Sequence, residues 1–294
     1  MGRRPHVSSP LTCDDTSEVY ILSNRFRVWR DGGPGWGVAA GLASAHGSAG
    51  GCALTGGQTV VLLLSVLVAS TTQVTVGFGF ALLSVPLMTM AVPTREAVVI
   101  STILGLLTSS FQAWHGRRDA DRTLIRRLTS AALVGLPIGW LVFTRVPDDV
   151  LRAILGMSVL VAVMLLATGL VARGSTRLDV LCGALSGALA SSLSTNGPPL
   201  VFALQARSVP MRVFRPTINT VFTFSGLLSL VAFALSGEIE SDAVVHALWS
   251  VPVLLAGSRI GFLLRVRVRE EHARRIVLTL LTLAGLSAIL AAIV

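Results

Sequence analysis

Charge is scarce in this chain, and lysine is missing altogether. Charged residues make up 13% of the 294, against about 25% in a soluble domain, so a soluble globular class is excluded. The 24 basic side chains are all arginine, set against 15 acids, for a net charge of +9. On a soluble protein that balance would suggest nucleic acid. Here the arginines flank apolar stretches, membrane topology accounts for them, and no nucleic-acid partner is expected. Cysteine is nearly absent: Cys13, Cys52 and Cys182 are odd in number and unclustered, which excludes a disulfide framework and a metal-ligand set. No metal and no cofactor is expected. There is no His-Glu-x-x-His motif, no Gly-x-Ser-x-Gly turn and no pair of aspartates within an apolar stretch, so an intramembrane enzyme lacks its chemistry. No Asp or Glu lies well inside an apolar stretch either. Glu96 is at an edge, as are His115 and His246, and a carboxylate proton relay has no carrier.

What the chain does have is apolar length. Hydrophobic residues make up 52%, and the mean hydropathy is +0.74. The apolar stretches beyond Gly57 are continuous rather than alternating, which sets aside a β-barrel. Several reach the roughly 17–25 residues that cross a bilayer as a helix. The fold class is therefore an all-α polytopic membrane protein. Residues 1–58 are polar and rich in Gly and Ser, and lack the layout of a signal peptide; they read as a disordered tail.

The chain also repeats itself. Val92-Pro93-Thr94-Arg95 recurs 117 positions later as Val209-Pro210-Met211-Arg212, and Gly135-x-x-x-Gly139 recurs 122 positions later as Gly257-x-x-x-Gly261. This divides the chain into repeat 1 over 59–172, a linker over 173–177 and repeat 2 over 178–294. Repeat 1 carries apolar segments at 59–76, 78–92, 96–114, 128–143 and 150–172. Repeat 2 carries them at 178–193, 199–206, 213–235, 243–264 and 273–294. The segment 115–127 holds five arginines, whereas its counterpart 236–242 holds Glu238, Glu240, Asp242 and no base. Short basic loops stay in the cytoplasm, so equivalent loops fall on opposite faces and the repeats are inverted. The loops at 116–127, 173–179 and 265–275, with Arg207, Arg212 and Arg215, belong inside. Arg95 and the loops at 145–152 and 236–242 belong outside. The 30 residues between Leu178 and Arg207 must then enter and return, too few for two spans. They form a re-entrant or broken-helix hairpin, as does 59–92. The count is about 8–10 membrane segments.

Polar residues gather at the two hairpin turns, in Ser70 to Phe80 and in Ser191 to Pro199. Irregular backbone at membrane depth is tolerated where it is buried or lines a cavity. A half-helix starting there offers free N–H groups to an anion. Thr72, Gln73, Thr75, Gly77 and Gly79 are the candidates from the first turn, and Ser194, Thr195, Asn196 and Gly197 from the second. Ser101 and Thr102 follow the first hairpin, and Asn219 the second, with Asn219 at the 117 offset from Thr102. They complete the site from the next helix or serve as hydrogen-bonding glue between helices. Arg259 lies six residues before Arg265, roughly 9 Å along a helix. It draws an anion toward the inner mouth or snorkels to the surface.

The stretch Gly77-Phe-Gly-Phe-Ala-Leu-Leu-Ser-Val-Pro86, followed by Val92 to Val98 and Ser101-Thr102, resembles the first repeat of the TauE/SafE sulfite-exporter family. The Gly-x-x-x-Gly pair at 135/139 and 257/261 is similar to the family's second marker. The resemblance covers roughly residues 59–294. It implies export of a small sulfur oxyanion or organosulfonate, such as sulfite or sulfoacetate, across a bacterial inner membrane. The second turn, Ser194-Thr-Asn-Gly-Pro-Pro199, departs from the glycine-rich turn the family tends to carry in both copies. The reading is a multi-pass permease for a small anion working by alternating access at a midplane site. Its partners are that anion and the lipid bilayer, with a homo-oligomer left open. A non-transporting membrane scaffold or assembly factor is the alternative, and it would have no need of two polar hairpins.

Overall fold

The computed structural model describes residues 54–168 and 174–267, with Thr279 and Thr282. Most of the expected tail, the end of repeat 1, the start of the linker and most of the last expected span lie outside the described residues. The segments 54–168 and 174–267 hold nine helices and no strand. They are α1 (Gly56–Val76), α2 (Phe80–Met88), α3 (Thr94–Gly116), α4 (Arg122–Arg145), α5 (Asp148–Thr168), α6 (Thr176–Leu193), α7 (Gly197–Ala206), α8 (Met211–Leu235) and α9 (Ser241–Arg267). Among them α1, α3, α4, α8 and α9 are long and apolar enough to cross a membrane.

Local chemistry sets the helix starts. Thr55 and Gln58 form a capping box on α1, Asp121 caps α4 through the N–H groups of Thr123 and Leu124, and Ser175 caps α6. The two Val-Pro-x-Arg markers are also helix starts, with Pro93 and Pro210 at the N-caps of α3 and α8. Hydropathy places the fourth span at 128–143. The structure begins α4 six residues earlier, because the Asp121 cap and the helix-forming arginines continue the helix beyond its apolar part.

Packing runs across the two halves. α4 lies on α6, α9 on α1, and α3 on α8. The first two contacts are made by the glycine markers. A methyl group at Gly135 would strike the Ala184 carbonyl, at Gly139 the Ala188 carbonyl, and at Gly187 the Ala132 carbonyl. One at Gly257 would strike the Ser70 hydroxyl, and at Gly261 would lie 2.8 Å from the Thr71 carbonyl. Small residues let helix backbones meet, the usual basis of helix association in lipid. The α3–α8 pair is antiparallel: Gly116 faces Pro216, Leu106 faces Gly226, and Arg95 pairs with Glu238.

Charged groups collect at two ends. At one, Arg95 binds Asp148 at 3.1 Å, Glu238 at 3.1 Å and the Val146 carbonyl at 3.0 Å, and His246 meets Glu96 at 2.7 Å. At the other, Arg207 and Arg127 converge on Asp179, Arg212 meets Asp119 at 3.0 Å, and the Asp121 N–H donates to Thr217. Between the ends the usual polarity is reversed. Leu64, Val134, Leu181, Leu248 and Leu263 are exposed, while Gln73, Ser101, Thr195, Asn219 and Ser229 are buried. That is the surface of a protein solvated by lipid.

Candidate functional site

Both expected hairpins are helix–break–helix units. In the first, α1 stops at Gly77 and α2 starts after Gly79, with φ of 106° and 101° at the two glycines. L-residues avoid that region and glycine enters it freely. In the second, α6 stops at Ser194, left-handed at φ 58°, and α7 starts after Asn196. Gly77 and Ser194 are 117 positions apart, as are Gly79 and Asn196.

Each break is held by the other half. Asn219 on α8 donates from Nδ2 to the Gly77 carbonyl at 3.0 Å and accepts from Gln73 Nε2 at 3.3 Å. Gln73 Nε2 also donates to the Ser109 hydroxyl at 3.0 Å. Thr102 on α3 meets the Ser194 hydroxyl at 3.1 Å. Thr102 and Asn219 are themselves 117 apart, so the same position of each half grips the left-handed cap of the other. Within the second hairpin, Ser186 donates to the Asn196 carbonyl at 3.1 Å.

A cavity enclosing about 460 Å³ of empty space, part of it open to the exterior, lies between the breaks. Gly79, Phe80, Ala81 and Leu82 line it from the start of α2, and Ser194, Thr195, Asn196 and Gly197 from the second break. The long helices add Ser101, Thr102, Gly105, Leu106 and Ser109 from α3, and Phe222 and Gly226 from α8; Ala190 comes from α6. Gly105 is the central residue of α3, and Phe222 and Gly226 flank the centre of α8. The cavity is therefore level with the middle of both long helices. Repeat 2 places Ala190 and Gly226 at the 117-offset positions of Gln73 and Ser109. At these positions a methyl group and a hydrogen stand in place of an amide and a hydroxyl.

The lining is uncharged and offers hydrogen-bond donors. No ionisable side chain is among the lining residues. The first three N–H groups of a helix have no intrahelical partner, and those of α2 belong to Phe80, Ala81 and Leu82, all on the cavity wall. α7 contributes fewer, since Pro198 and Pro199 have none. Side chains supply what is missing. The Thr195 hydroxyl is buried without a partner, and the Asn196 side chain makes no capping bond. Around Gly79 a Cβ would meet nothing within 4 Å, so this glycine borders open space.

Of the residues expected from sequence, Gly79, Ser101, Thr102, Ser194, Thr195, Asn196 and Gly197 line the cavity. Ser101 also bonds Ser84 at 2.8 Å, tying α3 to α2. Gln73, Gly77 and Asn219 stand one layer behind, in the network that holds the first break. Thr75 turns to α9, toward the Gly261 carbonyl at 3.3 Å, and Thr72 is buried in α1 apart from the lining. Arg259 is exposed on α9, away from the cavity.

Sequence reasoning missed Asp179. Its segment reads as an arginine-rich loop, but α6 starts at Thr176 and buries the carboxylate completely. Arg207 grips it from Nε at 2.9 Å and Nη2 at 2.6 Å, and Arg127 stands 3.8 Å away. The Asp179 hydrogen bond holds the Arg207 guanidinium further above its ordinary range. The signal was present: a hairpin whose two ends share one face brings its acid at 179 beside its base at 207.

A family model described as sulfite exporter TauE/SafE matches residues 62–288. The chain belongs to the TauE/SafE family. TauE/SafE proteins are transporters of sulfur anions, and with its five spanning-length helices this member is a multi-pass membrane protein. No curated protein and no solved structure matches the chain.

Proposed function

We propose that the protein is an exporter of a small sulfur oxyanion in a bacterial inner membrane, working by alternating access at the mid-depth cavity. The observation that carries this reading is the meeting of two half-helix N-termini in one cavity that no charged side chain lines. Helix N-termini each present about +0.5 elementary charge, and discontinuous helices meeting at mid-depth are the usual substrate site of a secondary transporter. The halves are inverted repeats and the hairpins are re-entrant. In support, equivalent helices α3 and α8 are antiparallel, α4 on α6 mirrors α9 on α1, and Arg95–Glu238 at one end mirrors Arg212–Asp119 at the other. The arginine-rich end is cytoplasmic. Rocking of one half against the other breaks one cross-half ion pair at each end in turn. Each is exposed enough to be worth about 1 kcal/mol or less, so neither locks the cycle.

Efflux of labelled sulfite from proteoliposomes holding the full chain tests the proposal. Saturable flux above that of empty liposomes is expected. Flux indistinguishable from empty liposomes, for sulfite and for organosulfonates alike, would reject it.

A further inference from the structure

We infer that Glu96 and His246 form a proton-binding site that latches the two halves together at the outer end. It is separate from the cavity, and its ligand is a proton taken from the outer solution. The sidedness rests on the exporter reading, which makes the end away from the arginine-rich loops the outer one. Glu96 lies in the first turn of α3, in the first half, and His246 on α9, in the second. His246 Nδ1 meets Glu96 Oε1 at 2.7 Å, and an ionised carboxylate only accepts, so the imidazole donates. The two side chains are 21% and 14% exposed, enclosed enough to escape full screening and open enough for a proton to arrive. Imidazole is the side chain that gains a charge between about pH 8 and pH 5. Neutral, it gives the carboxylate an ordinary hydrogen bond; protonated, it gives a charge-assisted one, roughly twice as strong. Proton uptake therefore tightens a contact between the halves.

The elements packed on α3 and α9 leave that proton to this pair. α1 and α2 carry no titratable side chain, and those of α8, Arg212 and Arg215, are at its other end. α5 brings Asp148, Asp149 and Arg152, and Arg95 beside Glu96 is turned to Asp148 and Glu238. Glu240 and Asp242 precede His246 in the chain, and no other imidazole is at this end among the described residues. The inner end has no such contact. At the offsets of the two markers the equivalents of Glu96 and His246 are Val213 and Leu124, which hold no proton. The inner ion pairs join carboxylates to arginines, which stay charged. His115 bonds the Phe111 carbonyl of its own helix. Among the described residues, the imidazole contact between the halves thus belongs to one end alone. An acid exterior keeps that end shut for longer, so export slows as the outer pH falls.

Right-side-out membrane vesicles from cells making the full chain test this, with the inner pH held and the outer pH varied. Sulfite itself changes charge near neutrality. Wild-type efflux of labelled sulfite is therefore divided by that of His246→Gln, which can still donate to Glu96 but cannot gain a charge. The ratio is expected to fall about fivefold between about pH 8 and pH 5 outside, the difference between a neutral and a charge-assisted hydrogen bond. It should not respond to the inner pH, and Glu96→Gln in place of the wild type should give a level ratio. A level wild-type ratio, or one that follows the inner pH, overturns the inference and leaves the exporter reading intact. A second measurement needs no transport: melting temperatures in detergent for Glu96→Gln, His246→Gln and the double variant. The coupling between the two positions should grow from about pH 8 to pH 5. If no preparation shows efflux and the coupling still grows, the exporter reading falls and the proton contact between the halves stands. Coupling that is the same at both pH values removes the latch.

Discussion

Gly79 and Asn196 hold equivalent positions in the two breaks and act differently. Gly79 faces open space at φ 101°, so a valine there strains the backbone and fills the cavity. Asn196, its counterpart, offers an amide with no capping partner. Gly79→Val is expected to abolish flux in inserted protein, because it removes both the turn geometry and the space. Asn196→Leu is expected to weaken anion affinity about ten- to a hundredfold, the loss of one hydrogen bond to a charged ligand. Vesicle flux normalised to inserted protein measures both; wild-type flux in the two variants would move the site away from the breaks. Five of the seven lining residues named by sequence were legible because hydroxyls, an amide and glycines at two turns have no reason to be clustered in an apolar chain; Ser101 and Thr102 were legible as the polar pair after the first hairpin. Gln73 and Asn219 look the same in sequence, yet they hold the break rather than line the cavity. Their places decide it: Gln73 lies in α1 ahead of the break, and Asn219 lies on the unbroken α8 against the Gly77 carbonyl.

Between helices, contact quality divides into backbone approach and buried charge. Gly187 sits where its neighbour is the Ala132 carbonyl, not a flexible side chain. Gly187→Val must therefore push α4 and α6 apart, at a cost of about 1–3 kcal/mol or more, read as a lower melting temperature in detergent. Retention of the wild-type melting temperature would show that the two helices do not pack so closely. Asp179 ties α6 to Arg207 after α7 and to Arg127 on α4. Asp179→Leu should destabilise toward the lower end of the roughly 3–5 kcal/mol for a broken buried pair, because Arg207 keeps 26% of its side chain exposed and can turn to solvent. Adding Arg207→Met should recover much of that loss in the same assay. If the double variant is no more stable than the single one, the pair is not the source of the effect.

Across the whole molecule, the charge of equivalent loops predicts which side each faces. In a background with Cys13 and Cys52 replaced, a cysteine beside Arg122 should be shielded from an impermeant reagent added outside, and one beside Glu240 should react. Labelling of both from one side would rule out the inverted repeat. The cross-half pairs make a second prediction at this scale. Arg95 and Glu238 should couple in a double-variant cycle, as should Arg212 and Asp119. The first coupling should be the stronger, because its side chains are 31% and 22% exposed and those of the second 81% and 38%. Stability in detergent over a salt series measures each coupling.

By itself the amino-acid sequence determined the class, the place of each described helix apart from the six-residue extension at the start of α4, both helix breaks and the family. These follow from quantities local to the chain: hydropathy over a span, a capping residue, a glycine or proline where a helix must stop, and an internal repeat. The tertiary structure alone decided which turn residues share one cavity, that Asn219 and Thr102 each hold the opposite break, and that Asp179 is buried against Arg207. Those facts depend on the meeting of segments about a hundred positions apart, where the hand and phase of two packed helices choose the neighbour. No pattern within a single segment carries that information, because each half is completed by side chains of the other.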